Sequence, residues 1–311
     1  LKIWLFGDGA WAASSLVALR DRGHRVEAVV LRTRPSDDSL ETMARSSGIP
    51  VHGTESVNAA SFVSLVQQSE PDLCVSIAYN QIFRRPILEA ARLGYLNFHA
   101  GKLPLYRGRN VVNWAIINGE SEIGLTAHFI DEGIDTGDVV LQTMLPILWT
   151  DSYQDVLCRV VSRFPSFVSE AVEQLAAGSA LRVPQRGPST YFCGREEADE
   201  WLNWSDTSRN LYNKIRGISH PAPGARTVYS SRAVRVWKAV YDPSWPGYIA
   251  TPGQVVGRHS EGCFIKTGDS ILLVTLVQVD GDNASIPMWP IGTRLGIDTA
   301  ALLQAAMNGR R

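Results

Sequence analysis

The stretch "LKIWLFGDGAWAASSLVALRDRGHRVEAVVL" (residues 1–31) decides the fold class. Residues 2–6 are a short apolar run of the kind that fills a buried strand, and 26–31 are a second. Between them, 11–22 repeat apolar residues at helical spacing, and Gly7-Asp8-Gly9 supplies the tight turn into the helix. A strand, a crossover helix and a second strand make a parallel pair with the helix packed on one face. The same residues also suggest a secretory leader, with one lysine, an apolar stretch and small residues near Trp11-Ala12-Ala13. The glycine turn interrupts the apolar run after residue 6, so strand, turn and helix are expected instead.

The alternation continues downstream. A helix is expected near 58–69, strands at 72–79 and 93–99 with a short helical stretch before the latter, a helix at 111–119 and a strand at 123–131. This is an α/β pattern: a Rossmann-like, mostly parallel sheet with helices on both faces. Residues 152–178 form a long helical stretch closed by Gly178, which Pro165 is expected to kink or divide. From about 180 the chain becomes punctuated by proline and glycine. Residues 1–183 are therefore taken as one domain, 184–204 as a linker and 205–311 as a second domain. After a helix in "TSRNLYNKIRGI", five short strands ("ARTVYS", "RAVRVWKAVY", "GQVVGRH", "GCFIKTG", "SILLVTLVQVD") indicate a small C-terminal β-barrel.

Composition narrows the function classes. The chain of 311 residues is 45% hydrophobic and 20% charged, with a formal net charge of −1. No global field draws it to nucleic acid or to a membrane surface. No stretch reaches the roughly 18–20 apolar residues of a membrane span, so a soluble protein is expected. The cysteines Cys74, Cys158, Cys193 and Cys263 are scattered without a Cys-x-x-Cys pair, which points away from zinc and disulfides and toward a reducing, cytoplasmic setting.

Three places carry chemistry. "GDGAWA" (7–12) fits the Gly-x-Gly-x-x-Ala turn that holds a dinucleotide pyrophosphate, but any tight strand-to-helix turn wants glycine. No acidic ribose partner ends the second strand, where "LRTR" stands instead. In "YLNFHAGKLPLYRGRN" (95–110), Asn97 and His99 share one strand face, at the carboxyl end of a strand expected to be parallel. "DEGIDTGD" (131–138) follows the next strand, and its carboxylates Asp131, Asp135 and Asp138 can meet that pair. It lacks the ligand pattern of a calcium loop, so no metal is expected. An Asn, a His and an Asp converging without metal suit acyl chemistry: an amide donor for an oxyanion and a carboxylate orienting an imidazole. No Gly-x-Ser-x-Gly elbow and no adjacent cysteine imply a covalent nucleophile, so direct attack by an amine is the economical scheme. Lys102, Arg107 and Arg109 crowd the same loop, either as a solvated cluster or as a clamp on a phosphate or diphosphate.

Asn97-Phe98-His99, Leu103-Pro104, Arg107-Gly108, Gly124-Leu125-Thr126 and Asp131-Glu132-Gly133-Ile134-Asp135-Thr136-Gly137 together resemble the folate-dependent formyltransferases. "IRGISHPAPGARTVY" (215–229) resembles the start of that family's C-terminal, OB-like barrel. The resemblance implies Asn97, His99 and Asp135 as catalytic residues and 10-formyltetrahydrofolate as formyl donor. It implies Tyr79, Gln81, Ile82, Phe83 and Leu88 as the pterin-binding segment, with Asp131, Gly133, Ile134 and Gly137 in the loop closing over the folate. His99 is implied either as a base or as an imidazolium sharing the oxyanion, with Asp135 favouring the charged form. The tRNA enzymes of the family usually carry a long basic insert after the second strand and read His-x-Ser-Leu-Leu-Pro. Here residues 31–51 contain no lysine, and the loop reads "HAGKLP". The chain is thus most similar to the sugar N-formyltransferases, which implies a nucleotide diphosphate amino sugar as substrate, bound through Lys102, Arg107 or Arg109. A charged tRNA and a small amine such as hydroxyornithine are the alternatives. Nucleic acid is not the expected partner, and a homodimer is implied by analogy alone.

Overall fold

The computed structural model describes residues 1–296. In chain order the elements are β1 (Lys2–Gly7), α1 (Gly9–Asp21), β2 (Arg25–Leu31), α2 (Ser39–Ser46), β3 (Val51–Gly53), α3 (Ala60–Ser69), β4 (Leu73–Ile77), α4 (Arg85–Leu88), β5 (Tyr95–His99) and β6 (Arg107–Gly108). They continue with α5 (Val111–Ile117), β7 (Glu122–Phe129), β8 (Val139–Pro146), α6 (Tyr153–Ala176) and β9 (Tyr191–Phe192). Then come α7 (Ser208–Gly217), β10 (Ala225–Tyr229), β11 (Arg232–Val240), β12 (Val255–His259), β13 (Gly262–Lys266) and β14 (Ile271–Val279). Two compact units emerge. One holds residues 1–111, 122–146 and 158–192; the other holds 112–121, 147–157 and the described residues from 193 to 296.

The first unit is built on a seven-stranded sheet of order β3-β2-β1-β4-β5-β7-β8. The first five strands are mutually parallel, as the crossover helices require. β7 and β8 are antiparallel, and β8 had no counterpart in the sequence reading. On one face, Trp4, Phe6, Ala28, Val30, Cys74 and Tyr95 pack against Phe62, Val63 and Val66 of α3 and Ile87 of α4. On the other, Phe98 meets Phe164 and Phe167 of α6, and Trp11 of α1 also meets Phe164. Pro165 lies inside α6, which runs unbroken from Tyr153 to Ala176, so the expected division does not occur. No helix among the described residues is long and apolar enough to cross a membrane.

The second unit carries a five-stranded antiparallel sheet of order β10-β11-β14-β13-β12 around a core of Val234, Val236, Ile265, Leu272 and Val274. Bridges from Val228 to Gly296 and from Gln254 to Arg294 let one short segment span the two edge strands, which completes the expected OB-like barrel. Helix α7 packs its apolar side (Leu211, Ile215) into the same core, and its first turn is capped by Thr207, whose hydroxyl accepts from the Asn210 amide.

Candidate active site

The β5–β7 register sets Asn97 opposite His128 and His99 opposite Thr126. Directly opposed residues of an antiparallel pair point to the same face, so these four polar side chains form a patch on one side of the sheet. Tyr95, two residues before Asn97, shares that face and is already part of the aromatic cluster with Phe6 and Phe83. The apolar wall therefore gives way to polar groups along a single strand.

Because β7 is antiparallel, the 130–138 loop leaves beside Leu96 and not at the His99 end of β5. It folds back over the face. Asp135, in the left-handed region at φ 53°, lands between the two imidazoles. Its Oδ2 accepts the Gly108 amide at 2.8 Å and lies 3.8 Å from His99 Nδ1. Its Oδ1 accepts from Asn97 Nδ2 at 3.3 Å and lies 3.4 Å from His128 Nε2. Tyr106 and Asn110 also have positive φ, so three strained residues gather on the two loops of one site.

Hydrogen-bond partners fix the imidazole of His99. Its Nε2 lies 2.6 Å from the Tyr106 carbonyl oxygen, which can only accept, so Nε2 carries the hydrogen and Nδ1 keeps its lone pair toward Asp135. Burial pushes the His99 pKa below the ordinary value, more than Asp135 and the Tyr106 hydrogen bond raise it. Asp135 favours the charged form, as expected, but burial outweighs it and the neutral ring prevails. For Asp135, burial pushes upward but is outweighed by the neighbouring imidazoles, His99 before His128, and by the Gly108 amide. Its carboxyl is held far below the usual range.

The motifs around the site have structural reasons. Thr126 donates to the Gly101 carbonyl at 2.7 Å, while Gln142 donates to Thr126 Oγ1 and to the Leu103 carbonyl. Gly124 lies so close to the Lys102 backbone that a Cβ there would stand 2.6 Å from its Cα. Gly137 needs to be glycine because a Cβ would stand 1.9 Å from the Phe129 carbonyl oxygen.

The segment expected as a linker is also part of this support. Thr190 accepts from the Tyr106 and Arg107 amides, and the Phe192 ring stacks on Tyr106 at 5.0 Å. Gln185 donates to the carbonyls of Asp135 and Gly137 and accepts from the Arg107 guanidinium. Arg107 is thus buried, shared between Gln185 and Tyr191, and does not stand open to a substrate phosphate as expected. Losing Gln185 would leave two loop carbonyls and the guanidinium without this partner. Gln185→Ala is therefore expected to lower kcat by about tenfold, the worth of one hydrogen bond lost from Asp135's support. Single-turnover kinetics beside thermal unfolding would check this, since a fall in melting temperature at normal kcat would deny the link.

The other expected positions separate. Lys102 pairs with Glu122 at 2.5 Å, and Arg109 is exposed on the same loop. Leu88, Asp131 and Gly137 line an open cleft of about 450 Å³ with Tyr95, Phe129 and Arg182. Ile82 and Ile134 are exposed, and Gly133 sits at the outer turn of the loop, where Asp131 accepts its amide. Phe83 is a core residue, 4% exposed, so its side chain supports the site from behind and is not open to a ligand. Gln81 binds the Val57 amide and the Thr54 carbonyl, holding neighbouring loops together. The Tyr79 ring packs on Phe6 and Phe83. Among the described residues, no group of three His, Cys, Asp or Glu side chains is arranged to hold a metal ion. The Gly7–Gly9 turn is occupied by the protein itself: Asp8 pairs with Arg32 at 2.9 Å and accepts the Ser36 amide, and Asp37 lies against Gly9. Two carboxylates at that turn would repel a pyrophosphate.

The sequence reading missed His128 and Gln185. A signal for His128 was present: it lies three residues before Asp131 on a strand whose antiparallel register pairs it with Asn97. Over residues 1–172 the sequence matches the family described as Formyl transferase, and over 195–288 the one described as Formyl transferase, C-terminal domain. A methionyl-tRNA formyltransferase of Pelotomaculum thermopropionicum is 33% identical over 289 residues, 90% of this chain and 92% of that protein. One of Symbiobacterium thermophilum is 36% identical over 296 residues, 90% of this chain and 89% of that protein. A solved N-formyltransferase from Helicobacter canadensis, in complex with folinic acid and dTDP-3-aminofucose, shares the fold. Its TM-score is 0.69 at 20% identity, covering 90% of this chain and 99% of that one.

Proposed function

The chain belongs to the formyl transferase family, and from that premise we propose that it moves the formyl group of 10-formyltetrahydrofolate to the amine of a nucleotide-linked amino sugar. The folate is a consumed co-substrate.

One observation weighs most: an amide donor and a neutral imidazole with a free Nδ1 converge on one ionised carboxylate, Asn97 Nδ2 at 3.3 Å and His99 Nδ1 at 3.8 Å from Asp135. In this reaction the acceptor amine attacks the formyl carbon. Asn97 donates to the oxyanion as it forms, and His99 Nδ1 takes the amine's proton. Asp135 stabilises the imidazolium so produced. Collapse of the tetrahedral adduct breaks the bond to the folate nitrogen, to which His99 returns the proton. The free enzyme regains its starting charges.

The sign of the pH dependence follows. Burial lowers the His99 pKa, so the base is ready above pH 6.5, and kcat is expected to be level there and to fall only on further acidification. Turnover that rises as pH drops through 6 would overturn the base role. The same depression, together with that of Asp135, contributes stability that is present at neutral pH and lost as each group is forced to protonate in acid.

A small anionic acceptor is supported by the charge layout. Residues 32–38 alone connect β2 to α2, and Arg32 is committed to Asp8. In the barrel unit Arg226 pairs with Glu197 and Glu200, Arg232 with Asp282, and Arg235 with Asp280. Cations neutralised in this way give little attraction to a polyanion. Arg109, exposed on the loop where Lys102 is already paired with Glu122, remains the candidate to hold a diphosphate. The methionyl-tRNA formyltransferases at 33–36% identity favour a second reading, with charged initiator tRNA as acceptor. Incubation with 10-formyltetrahydrofolate and a panel of nucleotide-linked 3- and 4-amino sugars, hydroxyornithine and charged initiator tRNA, read by product mass, separates them. Formylation of tRNA alone would sink the sugar reading.

A further inference from the structure

We infer that His128 is a positioning residue that fixes which way the Asn97 amide faces. The inference rests on the role proposed above for Asn97. His128 Nδ1 lies 2.8 Å from the Phe129 carbonyl oxygen, an acceptor only, so Nδ1 carries the hydrogen and Nε2 presents a lone pair in the neutral ring. That lone pair lies 3.2 Å from the Asn97 side-chain amide, whose other contact is Asp135 Oδ1 at 3.3 Å. Both neighbours accept, so the amide group facing them must be the NH2. Its two hydrogens face one acceptor each; the one on the longer, 3.3 Å contact to Asp135 is offered to the oxyanion as it forms, while His128 keeps the other. Were Asn97 turned over, its oxygen would confront a lone pair and a carboxylate at once.

Sequence alone leaves the amide of an asparagine free to rotate by half a turn, and only a donor serves an oxyanion. Asp135 by itself would favour the same orientation, but it sits on a loop. His128 is 2% exposed, sits on β7 directly opposite Asn97, and is anchored through its own backbone neighbour. A rigid acceptor on the adjacent strand thus holds the amide to within a narrow arc before substrate arrives, which is what preorganisation requires. His128 need not touch the formyl carbon to do this. It acts through Asn97.

The test combines spectroscopy with a double-mutant cycle on the full chain. In 15N-histidine spectra, assigned with His128→Gln, the resonance of His128 is expected to report the Nδ1–H tautomer. Asn97→Ala is expected to shift its Nε2 signal. An Nε2–H tautomer, or an Nε2 signal indifferent to Asn97, overturns the inference whatever the enzyme's acceptor. In kinetics, His128→Leu is expected to lower kcat about tenfold, with the donor KM little changed. The double variant Asn97→Ala/His128→Leu is expected to be no slower than Asn97→Ala alone. Multiplying losses would mean that His128 acts independently, and undiminished turnover in His128→Leu would mean that it does not act at all. His128→Gln, which retains an acceptor oxygen, should recover part of the loss, and serves where His128→Leu fails to fold. Acceptor-independent hydrolysis of the donor supplies the rate if no amine on the panel reacts. A wild-type chain that neither binds nor hydrolyses 10-formyltetrahydrofolate refutes the proposed function, while the tautomer measurement still decides the role of His128.

Discussion

Asp135→Asn is expected to lower turnover by about 10²–10³-fold, the usual consequence of losing one preorganised charge partner in such a site, while leaving the donor KM nearly unchanged. The substitution is isosteric. Its remaining oxygen can still accept the Gly108 amide at 2.8 Å, so the loop and its left-handed backbone should survive. What goes is the charge. His99 Nδ1, 3.8 Å away, then takes a proton with no anion to stabilise the product imidazolium. A second consequence separates this from a general loss of structure. The carboxylate is the leading influence raising the pKa of His99 against the effect of burial, so without it the acid limb of kcat should move to lower pH. Near-normal turnover, or an acid limb that stays where it was, would remove Asp135 from the reaction. Thermal unfolding should show a smaller change than a core truncation, because no packing is lost.

How far the sequence reaches is clear at this same residue. Asn97 and His99 were legible because a strand's period of two ties spacing to a shared face, and because the glycine-rich 131–137 loop has few other reasons for its composition. The route by which Asp135 arrives was not legible. Spacing is silent on whether the next strand runs parallel or antiparallel, and here β7 runs back, so that the loop must fold over the face to reach the pair. His128 was overlooked for the same reason: its membership of the site is a property of register, which the sequence displays only once strand direction is known. β8 read as nothing, its exposure pattern lacking both the continuous apolar run of a buried strand and a clean alternation. The cationic cluster shows the converse limit. Arg107 looks like a phosphate ligand beside Lys102 and Arg109, yet its partner Gln185 lies 78 residues away, in a stretch whose prolines and glycines suggested only a connection. Charge along a chain reports what a side chain offers; the distant partner that already takes it is set by topology. The five barrel strands, by contrast, were readable because short alternating runs between turns leave little else to form.

Gly101→Ala should cost nearly as much activity as losing a catalytic group, though Gly101 has no chemistry of its own. An added Cβ would stand 2.4 Å from the Tyr106 carbonyl oxygen and 2.5 Å from His99 Nε2, the two atoms whose hydrogen bond sets the ring's tautomer. Neither can yield easily. The carbonyl belongs to a residue already at φ 60°, and the ring is walled in at 9% exposure. The methyl group must therefore part the pair. Without the Tyr106 carbonyl, nothing favours hydrogen on Nε2 over Nδ1, and rings with hydrogen on Nδ1 present no base to the amine. A loss in kcat of roughly 10²-fold is expected, with a destabilisation of about 1–3 kcal/mol from overpacking. Gly53→Ala is the matching control: nothing lies within 4 Å of its Cβ position, so both activity and melting temperature should hold. If Gly101→Ala lowers the melting temperature but spares kcat, the orientation of His99 does not depend on Tyr106. The assignment of Nδ1 as the proton acceptor would then fall with it.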